Sequence, residues 1–218
     1  MSQENSKTLE VYEHTAGRYM ANTVEHDNLD PAKAKRKRAK LNKLIRDSFA
    51  TLPERAHLFE IGSADGENAK YLEELGYDVV ASDVAPAFLN RLDEENLFHV
   101  KFDAVKDPFQ ESYDGIFCWR VFVHFTPEDA LTVLKKTYDA LEPGGRFVFN
   151  AMNRDAREVD EEWVDFPGEY HMGADRYYKY FREEELRDLI AKTDYRVISY
   201  HQEGGDAGNK WHVFVLEK

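Results

Sequence analysis

Within the run from His57 to Leu89, Gly62, Ser63, Ala64, Asp65 and Gly66 form a turn of small residues, and Asp83 stands 21 residues beyond Gly62. Such a turn lets backbone approach a ligand closely, and a carboxylate about 20 residues further on can accept hydrogen bonds from both hydroxyls of a ribose. The glycine pattern narrows the ligand. A dinucleotide fingerprint would need glycines at 62, 64 and 67, because a diphosphate sits on the helix N-terminus, and this chain carries Ala64 and Glu67 there. A carboxylate at the helix start repels a diphosphate but tolerates a cofactor with a zwitterionic amino-acid tail and a cationic sulfur.

Positioning that turn requires a strand before it and a helix after it. His57 to Ile61 is a short apolar run that reads as a strand. Glu67 to Leu75 places Ala69, Leu72 and Leu75 at helical spacing, and Gly76 follows as a left-handed cap. Asp78 to Ser82 is a second β-rich run that Asp83 ends. An ordinary strand–helix–strand unit whose glycines serve only packing would read the same way.

Glu60-Ile61-Gly62-Ser63-Ala64-Asp65-Gly66 resembles the first motif of class I S-adenosylmethionine-dependent methyltransferases, acidic-x-Gly-x-Gly-x-Gly, with Ala64 in place of the middle glycine. Tyr113 to Trp119 and Leu141 to Phe149 resemble later motifs of the same enzymes, so the likeness covers most of Val11 to Glu217. It implies an α/β fold with a Rossmann-like, doubly wound seven-stranded sheet, mostly parallel with an antiparallel C-terminal edge hairpin. It also implies S-adenosyl-L-methionine as cofactor. Cofactor-binding roles then fall on Glu60, Gly62, Ser63, Ala64 and Gly66 in the turn, on Asp83 and Val84 beside the ribose, and on Cys118 and Arg120 after the fourth strand. Asp103 and Ala104 fall near the adenine, although Asp103 could equally cap the loop before Pro108. Tyr19 is implied to reach the methionine carboxylate, with Arg18 as an ion-pair partner; Tyr12 and Tyr19 could instead pack against the sheet.

A chain of 218 residues suits one α/β domain, here a cap at about 9–50, a core at about 55–150 and 177–218, and a lid insertion at about 151–176. Apolar residues make up 42% and charged residues 33%, the mark of a globular protein. A net charge of −13 disfavours non-specific nucleic-acid binding and anionic membrane surfaces. No apolar run reaches the roughly 18 residues of a membrane span, and the N-terminal residues lack the pattern of a secretory signal, so a cytoplasmic location is expected. Cys118 is the one cysteine and can form no internal disulfide, and the histidine spacings suggest no metal site.

Residues 1–8 read as polar and mobile, and Val11 to Met20 as a short helix. Asp30-Pro31 reads as N-cap and first position of a helix reaching Phe49, with Leu41, Leu44, Ile45 and Phe49 as its buried stripe. Lys33, Lys35, Arg36, Lys37, Arg38, Lys40 and Lys43 on it could hold a phosphate or an RNA backbone, or form a solvated face that offsets the acidic surface. Pro86 to Leu97 reads as the next helix, Phe98 to Asp103 as the third strand, Tyr113 to Cys118 as the fourth and Leu141 to Phe149 as the entry to the fifth. Thr126, Pro127 and Asp129 announce a helix as N-cap, first position and capping-box stand-in. Residues 150–176 read as an irregular lid whose Glu158, Asp160, Glu161, Glu162 and Asp165 would suit a cationic acceptor or face solvent. A helix over Glu183 to Thr193 and strands over Arg196 to His201 and Trp211 to Leu216, joined by a hairpin loop at 204–209, complete the chain.

Methyl transfer from a sulfonium needs alignment and exclusion of water more than a catalytic triad, and a base only where the acceptor is a hydroxyl or protonated amine. His124, just after the fourth strand, is the candidate base, although it could pack against the following helix start. Tyr12, Trp119, His171 and Tyr178 are candidate acceptor contacts. The expected activity is methylation of an oxygen or nitrogen on a small-molecule acceptor, with no membrane or nucleic-acid partner. The alternatives are a tRNA or other nucleic-acid methyltransferase using the basic helix at 33–43, and a non-catalytic cofactor-binding module.

Overall fold

The computed structural model describes residues 2–167, 171–204 and 210–218. Five parallel strands, β1 (His57–Ile61), β2 (Asp78–Asp83), β3 (His99–Lys101), β4 (Tyr113–Cys118) and β5 (Leu141–Met152), carry β9 (Lys210–Glu217) antiparallel on β5 and β8 (Arg196–Gly204) antiparallel on β9. The order β3-β2-β1-β4-β5-β9-β8 reverses direction between β1 and β4, where the carboxyl ends of parallel strands open a crevice. The expected sheet is therefore present.

Strand alternation sends side chains to both faces, and both are covered. Phe59, Ile116, Phe147 and Phe149 join the cluster under α5 (Pro127–Ala140) and α6 (Glu183–Ile190). Leu58, Phe117 and Val148 join the other, under α2 (Pro31–Phe49) and α3 (Glu67–Glu74), where Ile45 and Phe49 are fully buried. Leu41 is only partly buried, and Leu44 is half-buried. Asp30 caps α2 by accepting from Lys33 N at 2.9 Å, and Thr126 caps α5 by accepting from Asp129 N at 3.2 Å.

Four expectations need correction. Helix α1 runs from Gln3 to Leu29, and Asn5 and Thr8 in its supposedly mobile start are buried; Tyr177 N donates to Thr8 Oγ1 at 3.0 Å. The third strand is only His99–Lys101, and Phe98, just before it, is 68% exposed at this edge of the sheet. The stretch expected to be irregular contains β6 (Glu161–Val164), paired antiparallel with β7 (Arg176–Lys179), so residues 177–179 belong to this hairpin rather than to the resumed core. Its acids serve the hairpin itself: Glu161 and Glu162 accept from the hydroxyls of Tyr177 and Tyr180, Asp160 pairs with Arg154 and Arg182, and Asp165 pairs with His171. Most of the loop joining β8 to β9, residues 205–209, lies outside the described residues.

Candidate functional site

A cavity of about 410 Å³ opens at the carboxyl ends of β1, β2 and β4 and is roofed by α1. At its floor the turn after β1 is built by left-handed backbone. Gly62 sits at φ +73°, and a Cβ there would stand 2.5 Å from a Val121 methyl, so only glycine fits. Ala64 also adopts a positive φ, +46°, and carries the strain that a glycine would avoid. Ser63 ties the turn to β2: Ser63 N donates to Ser82 O at 2.7 Å, and Ser82 N donates to Ser63 Oγ at 3.0 Å.

Asp83 is held as a fixed acceptor. Val84 N and Ala85 N donate to its Oδ1 at 2.7 and 3.1 Å, and Ala64 N donates to Oδ2 at 3.1 Å. Burial raises its carboxyl to about 6 despite those amides. Glu60, one residue before the cavity floor, is fully buried; Asn68 Nδ2 donates to its Oε1 at 2.9 Å, while Oε2 makes no hydrogen bond within the geometric limits among the described residues. Burial drives its carboxyl up to about 7. Asp103 and Ala104 line the cavity, but Asp103 Oδ1 is engaged by Val105 N and Lys106 N at 3.0 and 3.2 Å, the loop-capping role. Lys136 of α5 fastens this loop by donating to Ala104 O at 2.8 Å.

The far end is organised around His124. A backbone carbonyl only accepts, so the 2.8 Å contact from Nδ1 to Tyr177 O puts the proton on Nδ1 and leaves Nε2 as acceptor for the Tyr12 hydroxyl at 2.9 Å. Arg176, 1% exposed, donates from Nη1 to that hydroxyl oxygen at 3.0 Å and lies over the rings of Tyr12 and Tyr178. Burial and the Arg176 charge depress His124 to about 3, so its imidazole is neutral. After β4, Arg120 takes φ +64° as its amide donates to Asn150 Oδ1 at 2.6 Å, and its guanidinium lies over Trp211.

Of the candidate residues, Gly62, Ser63, Ala64, Asp83, Val84, Asp103 and Ala104 line the floor, while Tyr12, Tyr19, Trp119, Arg120 and His124 line the roof and far wall. Five do not line the cavity. Glu60 precedes the turn and Gly66 ends it, Cys118 is wholly enclosed in the core at the end of β4, and Tyr178 stands behind His124 with ring centroids 4.8 Å apart. His171 is bound to Asp165 and, through its carbonyl, to Asn22 of α1. Arg18 likewise spends Nη1 on Met172 O, tying α1 to the lid rather than facing a ligand. Sequence reasoning missed Asn68, Phe88, Asn150, Trp211 and, behind the wall, Arg176; only Arg38 had a signal, its place in the basic helix. In that helix Arg38, Lys40 and Lys43 pair with Glu67, Glu203 and Asp47. Among the described residues there is no cluster of metal-ligating side chains and no helix long and apolar enough to cross a membrane.

Residues 33–200 match the family model of a methyltransferase domain. No curated protein sequence matches the chain. Solved structures share the fold at low identity. Magnesium protoporphyrin IX methyltransferase from Synechocystis PCC 6803, with bound S-adenosylmethionine, superposes with TM-score 0.72 at 11% identity over 100% of this chain and 98% of that one. An S-adenosylmethionine-dependent methyltransferase from Methanosarcina mazei gives 0.66 at 16% over 77% and 94%. A glycopeptide N-methyltransferase complexed with S-adenosyl-L-homocysteine gives 0.61 at 13% over 81% and 88%. With more than half its length matched by the family model, and with the crevice, sheet order and glycine turn that such a domain requires, the chain belongs to the class I S-adenosylmethionine-dependent methyltransferases.

Proposed function

We propose that this enzyme transfers the methyl group to an oxygen or nitrogen of a small-molecule acceptor seated between the cofactor and the Tyr12–His124 pair. The carrying observation is that Asp83 and the Tyr12–His124 pair line one cavity of about 410 Å³ beneath α1. That size and roof suit a cofactor with a compact acceptor. The acidic charge of −13 and the ion pairs made by Arg38, Lys40 and Lys43 support this reading over a nucleic-acid acceptor.

The residues present fit the cofactor. Asp83, oriented by three amides, offers its remaining lone pairs to ribose hydroxyls, and the buried Glu60 carboxylate suits a cationic group. S-adenosylmethionine, when bound, supplies a methyl group already activated by its sulfonium charge. The chain's own work is then to bring the nucleophile within about 3 to 3.5 Å of that methyl and keep water out. Tyr12 is suited to the first task. Its proton is committed to His124 Nε2 and Arg176 donates to its oxygen, so one lone pair remains to orient an acceptor N–H or O–H. A neutral His124 held near 3 steers rather than stores the proton, so acceptors that arrive with a free lone pair are favoured.

The test is transfer of labelled methyl from S-adenosylmethionine to a panel of amines, phenols, carboxylic acids and unmodified tRNA, beside Asp83→Ala. Transfer to a small acceptor is expected, with cofactor affinity about 100-fold weaker in the variant through loss of two hydrogen bonds to a charged acceptor. Transfer to tRNA alone would overturn the small-molecule reading.

A further inference from the structure

One polar side chain interrupts the apolar run of β5. From Phe147 to Met152 every residue is buried, and all but Asn150 are apolar. Burying a polar group costs free energy that its contacts must return, so a lone amide in a core strand is informative. Asn150 Oδ1 accepts from Arg120 N at 2.6 Å, which identifies the oxygen and leaves Nδ2 as the donor. Asn150 lines the cavity, and its Nδ2 makes no hydrogen bond among the described residues. Holding Arg120 needs only the oxygen, a task that an aspartate could perform. The second half of the amide is therefore left for a ligand.

Positive charge gathers at the same end of the cavity. The Arg120 guanidinium lies over the ring of Trp211, and Arg176 lies over Tyr12 and Tyr178. Pairing of β5 with β9 sets Asn150 opposite Val213 and Met152 opposite Trp211, so strand alternation puts Asn150 and Trp211 on one face of the sheet. Glu203, which also lines the cavity, is paired with Lys40 at 3.3 Å. Asp83 lines the other side, with Phe88 of α4 (Pro86–Glu94). An amide N–H beside a guanidinium matches a carboxylate, which accepts on two oxygens.

We propose that Asn150 and Arg120 hold a non-reacting carboxylate of the acceptor, Asn150 donating from Nδ2 and Arg120 supplying the countercharge. The substrates are then amino or hydroxy acids, methylated at the nitrogen or hydroxyl oxygen while their carboxylate serves as the handle. This rests on the proposed transfer to a small molecule and names its substrate class. Tyr12 remains to orient the N–H or O–H of the reacting group, so handle and nucleophile have separate partners. Both anchors sit on the sheet or at its end, where a rigid scaffold fixes their spacing.

Calorimetry on the protein saturated with S-adenosylhomocysteine reads the handle without turnover. The probes are aminobenzoate, hydroxybenzoate, glycine and lactate, each beside its primary amide. Wild type is expected to bind at least one acid about 10-fold or more tighter than the matched amide. Arg120→Gln should weaken that acid about 10-fold while sparing its amide. Asn150→Asp keeps an oxygen to accept from Arg120 N but exchanges the donor for a second acceptor. It should reverse the preference, with the amide bound tighter than the acid, an outcome that a merely structural role for Asn150 would not produce. Equal binding of acids and amides by wild type, binding of neither, or variants that weaken both alike would overturn the proposal. Failure of wild type to bind S-adenosylhomocysteine at all would instead overturn the cofactor assignment beneath it.

Discussion

The two ends of the cavity are held by different kinds of contact. At the cofactor end, Asp83 accepts from Ala64 N 19 residues away, Ser82 N donates to Ser63 Oγ across the same interval, and Asn68 reaches Glu60 across eight residues. At the end proposed for the acceptor, Tyr12 meets His124 across 112 residues, Arg176 meets Tyr12 across 164, and Tyr177 N meets Thr8 across 169. One end is a local motif fixed by turn geometry and strand pairing. The other is assembled from α1, the segment after β4 and the β6–β7 hairpin, and exists only once all three have docked. Buried charge is treated differently too: the cofactor end keeps carboxylates short of countercharge, whereas the acceptor end has a neutral imidazole beside a buried guanidinium.

The largest expected effect tests that buried carboxylate. Glu60 ionises near 4.5 when unfolded but at about 7 in the fold, so between those values the folded protein binds more protons and loses stability as pH rises. The loss levels off above 7 at about 3 kcal/mol. Glu60→Gln should remove it, making the ligand-free variant more stable than wild type at pH 8 but not at pH 4.5. Urea unfolding at the two pH values measures this; a variant as pH-sensitive as the wild type would mean that the carboxylate is well solvated. Asp83, raised from 3.8 to about 6, adds a smaller fall of the same sign over that lower window in both proteins.

A smaller effect breaks the other end. Tyr12→Phe keeps the ring against Phe88 and removes the oxygen shared by Arg176 and His124. Turnover of the identified acceptor should fall about 10-fold, the worth of one hydrogen bond to a charged group, while the dissociation constant of S-adenosylhomocysteine stays unchanged. Equal loss in both would show that the two ends are not separable. The smallest effect concerns the seam between them. Ala64→Gly relieves a left-handed alanine at φ +46° and should stabilise the protein by about 1 kcal/mol, read as a higher urea midpoint with unchanged slope.

How far each end could be read from the chain follows from the same contrast. The sheet order needed only alternating strand and helix patterns with right-handed crossovers, and β4 runs over the expected Tyr113 to Cys118. Asp83 was legible because a strand end and a glycine turn bring it within reach of Ala64 whatever the rest of the chain does. Length of α1 was not legible: it has few apolar residues, and the burial of Thr8 comes with a contact to Tyr177, 169 residues away. His171 looked like an acceptor contact because it is an imidazole in the lid, yet Asp165 and Asn22 hold it outside the cavity.

Sequence by itself thus determined the cofactor class, the doubly wound sheet and the placing of Asp83 beside the glycine turn, since each depends on spacing within one strand–turn–helix–strand unit. Tertiary structure alone decided that His124 is neutral, that Arg176 stands behind Tyr12, that Glu161 and Glu162 bond Tyr177 and Tyr180 and that Arg38 leaves the basic face for the cavity wall. Each of those depends on which distant segment desolvates or pairs a charge, and that free energy is set by packing that no local spacing encodes.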